Sequence, residues 1–230
     1  MDNQPGGVPT RDSATRLMTL IGVGLIGVFV VGIGALLLVR ATLTNAPAAV
    51  PTAPFSDGVT PLDAPRLLTD FSLPGKDGSP LALSDLRGGY TVLFFGFTQC
   101  PDFCPLTLAE LRRVKALLTE TVGAEAAATL QVLLVSVDGE RDTPAVLRKY
   151  VDRFDPTFYA MQGDPPVLDG IAGEYGLFYE LLKDDPTDSD YTVEHTTSSY
   201  IIDPQGQLIA VLSFGAEPEA IAAYLAERLA

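Results

Sequence analysis

The side chains able to do soft-metal or redox chemistry are few. Cys100 and Cys104 are the only cysteines, and His195 is the only histidine. Thiolate sulfur and imidazole nitrogen form a soft-to-borderline donor set, suited to Cu(I) and, with a further weak ligand, to Cu(II). Methionines aside, any site of that type must use these three residues or borrow oxygens. Zinc competes chemically, but a structural zinc site wants four protein ligands. One histidine excludes the two-cysteine, two-histidine and three-histidine arrangements, and two cysteines exclude a disulfide framework.

The cysteines stand in a C-x-x-x-C spacing. On a helical turn such positions share a face, with Cβ atoms about 5–6 Å apart. Two sulfurs so placed can chelate one soft ion. They can also close a disulfide after adjustment toward a Cβ separation of roughly 3.5–4.5 Å. Two buried structural cysteines are the plainer alternative. As a lone histidine, His195 reads first as a surface or hydrogen-bonded residue.

The segments around the cysteines indicate how they are held. Thr91–Phe97 (TVLFFGF) is a continuous apolar run, short enough for a buried strand. It leads through Thr98–Pro105 into a helix over Pro105–Val122, where Leu108, Leu111 and Leu118 follow helical spacing with Val114 or Lys115 between. Proline suits a first helical turn. A helix N-terminus carries unpaired N–H groups and partial positive charge, which favour thiolate over thiol.

The rest of Leu67–Ala230 supplies further elements. Asp70–Leu73 and Pro80–Leu83 flank Gly75-Lys76-Asp77-Gly78 and read as a hairpin. Leu130–Val137 reads as a second buried strand and Thr157–Met161 as a third. Pro144–Phe154 suits a helix with Thr143 as N-cap, and Pro166–Tyr175 a shorter one. Thr192–Ile202 and Gln207–Phe214 read as strands joined across Asp203-Pro204-Gln205-Gly206, before a final helix Pro218–Leu229. Alternation of this kind predicts an α/β domain with a central mixed sheet.

The chain divides into four parts. Residues 1–16 form a tail. Leu17–Val39 holds 23 residues without a charge, bracketed by Arg16 and Arg40. It is long enough to cross a hydrocarbon core of about 30 Å, and longer than the roughly 7–15 apolar residues of a signal peptide. Residues 40–66 carry Pro47, Pro51, Pro54, Pro61 and Pro65 and read as a stiff linker. Residues 67–230 form the domain. Arg11 and Arg16 precede the span and Arg40 follows it, which orients the tail toward the cytoplasm and the domain across an inner (plasma) membrane, in the periplasm.

The composition is 47% hydrophobic and 19% charged, which excludes a disordered chain. A net charge of −14 repels phosphate backbones and argues against nucleic-acid binding. The acidic run Asp184, Asp185, Asp188, Asp190 reads as a solvated loop. Phe103, between the cysteines, is a candidate for contact with a partner.

Three motifs in order carry a resemblance. Phe97-Thr98-Gln99-Cys100-Pro101-Asp102-Phe103-Cys104-Pro105 resembles the F-T-x-C-P-x-x-C-P signature of the Sco/SenC family. Ser136-Val137-Asp138-Gly139-Glu140-Arg141-Asp142-Thr143 resembles its S-x-D-P-x-R-D-T segment, and Glu194-His195-Thr196 its D-H-[ST] segment. Three departures stand out: Gln99 where many members have His, Gly139 in place of Pro, and Glu194 in place of Asp. None removes a ligand.

The resemblance implies a membrane-tethered thioredoxin-like fold that binds copper, as Cu(I) or Cu(II), through Cys100, Cys104 and His195. It implies a role in assembling the copper A centre of cytochrome c oxidase subunit II, by delivering copper, reducing the target cysteines, or both. Other copper chaperones or thiol reductants are the further expected partners. That is a carrier more than a conventional enzyme, with Cys100 and Cys104 as the redox-active, catalytic pair. A membrane-anchored thiol–disulfide reductase without copper delivery is the alternative. A peroxiredoxin-type peroxidase ranks lower, because Thr98 precedes Cys100 by two positions where its loop has T-x-x-C. A general thioredoxin would carry W-C-x-x-C, and the chain has no tryptophan.

Overall fold

The computed structural model describes residues 57–229. In chain order these form β1 (Val59–Leu67), β2 (Ser72–Pro74), β3 (Pro80–Ala82), a 3-10 turn over Leu83–Leu86, β4 (Tyr90–Gly96), α1 (Phe103–Val122) and a short α2 (Ala124–Ala127). There follow β5 (Leu130–Ser136), α3 (Pro144–Val151), β6 (Tyr159–Met161), α4 (Pro165–Tyr175), β7 (Tyr179–Leu182), β8 (Thr192–His195), β9 (Ser199–Ile202), β10 (Gln207–Leu212) and α5 (Pro218–Leu229). The apolar run Leu17–Val39, the tail before it and the linker up to residue 56 lie outside the described residues. Among the described residues, no helix is long and apolar enough to cross a membrane.

Six strands make one sheet in the order β1-β10-β9-β4-β5-β6. β4, β5 and β6 run parallel, while β9 is antiparallel to β4 and β10 antiparallel to β9. The sheet is therefore mixed, as expected. β4 and β5 sit at its centre, paired from Tyr90↔Leu130 to Gly96↔Ser136, and almost every residue in them is buried. That burial is why both read as unbroken apolar runs with no alternation. α1 spans the connection between them. Its buried face is Cys104, Leu108, Leu111, Val114 and Leu118, one stripe at helical spacing, and it packs against α5.

The strands differ from the expectation in several places, including β7, which the sequence reading lacks. β1 starts at Val59, inside the stretch read as linker, and pairs antiparallel with β10. It contains Pro61 and Pro65. Only an edge strand accepts prolines, and the pairing is irregular between Pro61 and Arg66. The stretch Thr192–Ile202 is two strands, not one. β8 pairs with β7 in a separate hairpin, with Tyr179↔His195 in register, whereas β9 belongs to the main sheet. The chain changes sheets at Thr196-Thr197-Ser198. There the Thr196 N–H donates to the Phe178 carbonyl at 2.9 Å, and the Thr196 hydroxyl accepts from the Phe178 N–H at 2.9 Å.

Candidate metal centre

α1 begins at Phe103, two residues earlier than expected, so Cys104 lies in its first turn and Cys100 in the loop before it. Asp102 occupies the N-cap position without a side-chain cap bond. Cys100 takes over part of that role: its Sγ accepts the Cys104 backbone N–H at 3.4 Å. The helix terminus thus acts on Cys100 through a specific amide. The adjacent Cys104 side chain holds the Cys100 thiol well below its ordinary value, with burial opposing it and the His195 ring and backbone N–H groups adding to the effect. Cys104 moves the opposite way, pushed up by the same contact and by burial. The two thiols are therefore shifted in opposite directions. Both are buried, with relative exposures of 7% for Cys100 and 1% for Cys104.

The end of β4 makes room for this pair. A Cβ on Gly96 would lie 2.6 Å from Cys104 Sγ, too close for any side chain there. No local sequence signal marked Gly96 as part of the site.

His195 is the last residue of β8. Its Nδ1 lies 2.8 Å from the Thr196 carbonyl oxygen. A carbonyl only accepts, so Nδ1 carries a proton and, in the neutral ring that binds a metal, Nε2 offers the lone pair. Nε2 lies 3.9 Å from Cys104 Sγ, and the Phe97 ring packs edge-on against the imidazole at 5.7 Å. The two sulfurs and the ring nitrogen all fall within 4.8 Å of one another. Metal bonds of about 2.0–2.3 Å put the donors of a trigonal site roughly 3.5–4 Å apart. The three donors could therefore hold a soft ion after small adjustments. Among the described residues no carboxylate joins the group, so the fourth protein ligand a structural zinc site wants is missing.

A polar network lies beneath the loop. Asp142, fully buried, accepts the Thr98 N–H at 2.9 Å, the Thr98 hydroxyl at 2.5 Å and the Ser136 hydroxyl at 2.7 Å. Burial raises its carboxyl above the usual range, against these bonds. Asp138, equally buried, accepts from Arg141 Nε at 2.5 Å and from the Tyr191 hydroxyl at 2.6 Å. The second motif thus supports the first. Its one sequence signal was a cluster of polar residues directly after an apolar strand. Gly139 packs so closely on Gly163 that a Cβ would lie 2.0 Å from the Gly163 carbonyl oxygen, so this departure from the family pattern suits its surroundings. Gln99 accepts from Arg141 Nη1 at 3.3 Å.

Cys100 and His195 line a cleft of about 380 Å³ together with Phe97, Phe103, Phe178 and Glu194, among others. Phe103 is 47% exposed and Phe178 55%. Phe214, also exposed, meets Phe103 edge-on at 4.8 Å.

A mixed sheet with a buried cysteine pair at the junction of a central strand and helix defines a thioredoxin-like domain, and solved structures agree. Apo Sco1 from Thermus thermophilus superposes with a TM-score of 0.65 at 33% identity, covering 76% of this chain and 99% of that one. ScoI of Bradyrhizobium japonicum, solved with copper bound, gives 0.61 at 31% identity over 71% and 99%. The SCO2-like protein of Rickettsia felis is 27% identical over 196 residues, 85% of this chain and 90% of that one. The SCO1/SenC family model matches residues 59–230. The chain belongs to the SCO1/SenC family.

Proposed function

We propose that this chain is a membrane-anchored copper metallochaperone that assists assembly of the copper A centre of cytochrome c oxidase. Copper is its cargo, held by Cys100, Cys104 and His195. The observation that carries the reading is the convergence of two sulfurs and one lone-pair nitrogen within 4.8 Å, from segments 91 residues apart. That donor set prefers soft copper to the harder divalent ions.

The partner is the copper A site of oxidase subunit II, with other copper chaperones or thiol reductants acting before it. The exposed rings around the cleft support a protein partner, because large apolar side chains at the mouth of a site favour docking. Leu17–Val39 anchors the chain in an inner membrane, with the N-terminus cytoplasmic and the domain periplasmic.

The second reading, a thiol–disulfide reductase, draws on the unequal thiols. The Cys100 thiolate would attack a target disulfide, and Cys104 would resolve the mixed disulfide. Two target thiols would be left, and the domain would hold a Cys100–Cys104 disulfide. His195 separates the readings, since exchange needs only the thiols. His195→Ala is expected to weaken Cu(I) binding by more than tenfold while dithiol exchange with a small disulfide proceeds. Copper titration of the reduced domain measures it. An unchanged affinity in the variant would remove His195 from the ligand set.

A further inference from the structure

We propose that Arg141 is a positioning residue that holds the His195 hairpin in register with the cysteine loop. The inference rests on the copper reading above. The problem it answers is mechanical. Cys100 and Cys104 hang from β4 and α1, whereas His195 ends a two-stranded hairpin that shares no strand pairing with the main sheet. The main-sheet ladder therefore does not set the distance between imidazole and sulfurs.

Arg141 spans that gap. Its Nη1 donates to the Tyr191 carbonyl at 2.7 Å, in the segment entering β8, and lies 3.3 Å from Gln99 Oε1, next to Cys100. One guanidinium nitrogen thus touches both ligand-bearing segments. The guanidinium also stacks on the Tyr191 ring, 3.5 Å from its centroid. Its own position is fixed from below by Asp138, which accepts from Nε at 2.5 Å and from the Tyr191 hydroxyl at 2.6 Å. Both side chains are largely buried: that of Asp138 is 0% accessible and that of Arg141 11%. A planar fork can serve an acid, a carbonyl and an amide together while lying on a ring, and a lysine ammonium cannot. The Phe178–Thr196 bonds tie the base of the same hairpin, and Arg141 holds its other end beside the Lys183–Glu140 pair and the Tyr191–Asp138 bond.

Arg141→Lys keeps a cation beside Asp138 and removes the bridge. In the reduced protein, competition with a chromophoric Cu(I) chelator is expected to show affinity at least about tenfold weaker. In a His195→Ala background the same substitution is expected to cost less than about twofold, because the residue acts through the imidazole; neighbours in one network behave non-additively. A metal-free readout accompanies it: NMR cross-peaks between the His195 ring and the Phe97 ring should weaken in Arg141→Lys, because the imidazole shifts away from the cysteine loop. Should that variant fail to fold, Asp138→Asn with Arg141→Met removes both charges together and is measured the same way. Wild-type affinity in the variant, or equal weakening with and without His195, overturns the proposal. Absence of Cu(I) binding by the wild-type protein would instead sink the copper reading, and the NMR comparison would still decide the role of Arg141.

Discussion

At the scale of single residues, the two cysteines are chemically unequal although the spacing treats them alike. Cys100 sulfur accepts the Cys104 amide N–H, and the neighbouring Cys104 side chain also favours its anion. Cys104 is buried against β4 in the space that Gly96 leaves, and its thiol is pushed up. An ordinary cysteine has a pKa of about 8.5, so its alkylation slows steeply as pH falls below that value. Cys100, held well below it, keeps its thiolate as the solution is acidified. Its iodoacetamide rate in the reduced protein is therefore expected to stay nearly flat between about pH 8 and pH 6, with peptide mapping assigning the label to Cys100. A tenfold fall per pH unit, or labelling mainly at Cys104, would contradict this.

At the scale of elements, legibility followed periodicity and burial. β4, β5 and α1 were readable because an unbroken apolar run and a helical stripe each report what surrounds them. β1 was not, since Pro61 and Pro65 mimic a linker and only the pairing with β10 makes them an edge strand. The break between β8 and β9 was hidden because both halves are strand-like, and the change of sheet depends on long-range bonds between Thr196 and Phe178. Asp142 shows the same dependence. Its resemblance to a family motif was visible, but its task of accepting from Thr98 and Ser136 was not. Asp142→Ala leaves buried donors without an acceptor and is expected to cost about 1–3 kcal/mol. Urea denaturation measures it, and a midpoint equal to wild type would show that the network contributes nothing to the fold.

At the scale of the whole molecule, charge and exposed apolar surface bear on the proposed docking. Residues 41–230 carry 12 basic and 27 acidic groups, so the acidity belongs to this portion of the chain. A like-charged second copy is disfavoured, and a partner with a basic rim is favoured. Of the seven large apolar residues that stand exposed among the described residues, Phe103, Phe178 and Phe214 gather around the cleft, with Leu106 three positions along α1 from Phe103. Phe103→Ser with Phe178→Ser is expected to slow copper transfer to the isolated copper A domain of oxidase subunit II at least fivefold. Stability should change by only about 0.5 kcal/mol, as for other exposed positions. Stopped-flow transfer kinetics test this, and wild-type rates in the double variant would remove the rings from the docking surface.

The sequence by itself determined the inventory: two thiols, one imidazole, the helix that follows the first thiol and the family motifs around all three. These are local properties, carried by residue type and short-range spacing. The tertiary structure alone decided that Nε2, and not Nδ1, faces the sulfurs, because the Thr196 carbonyl lies within reach of Nδ1. It also decided that Cys100 and Cys104 differ and that the His195 hairpin is tied to the cysteine loop through Arg141. Each of these rests on donors and acceptors tens of residues apart or on the exact turn of a side chain, and a linear pattern of residue types holds no record of either.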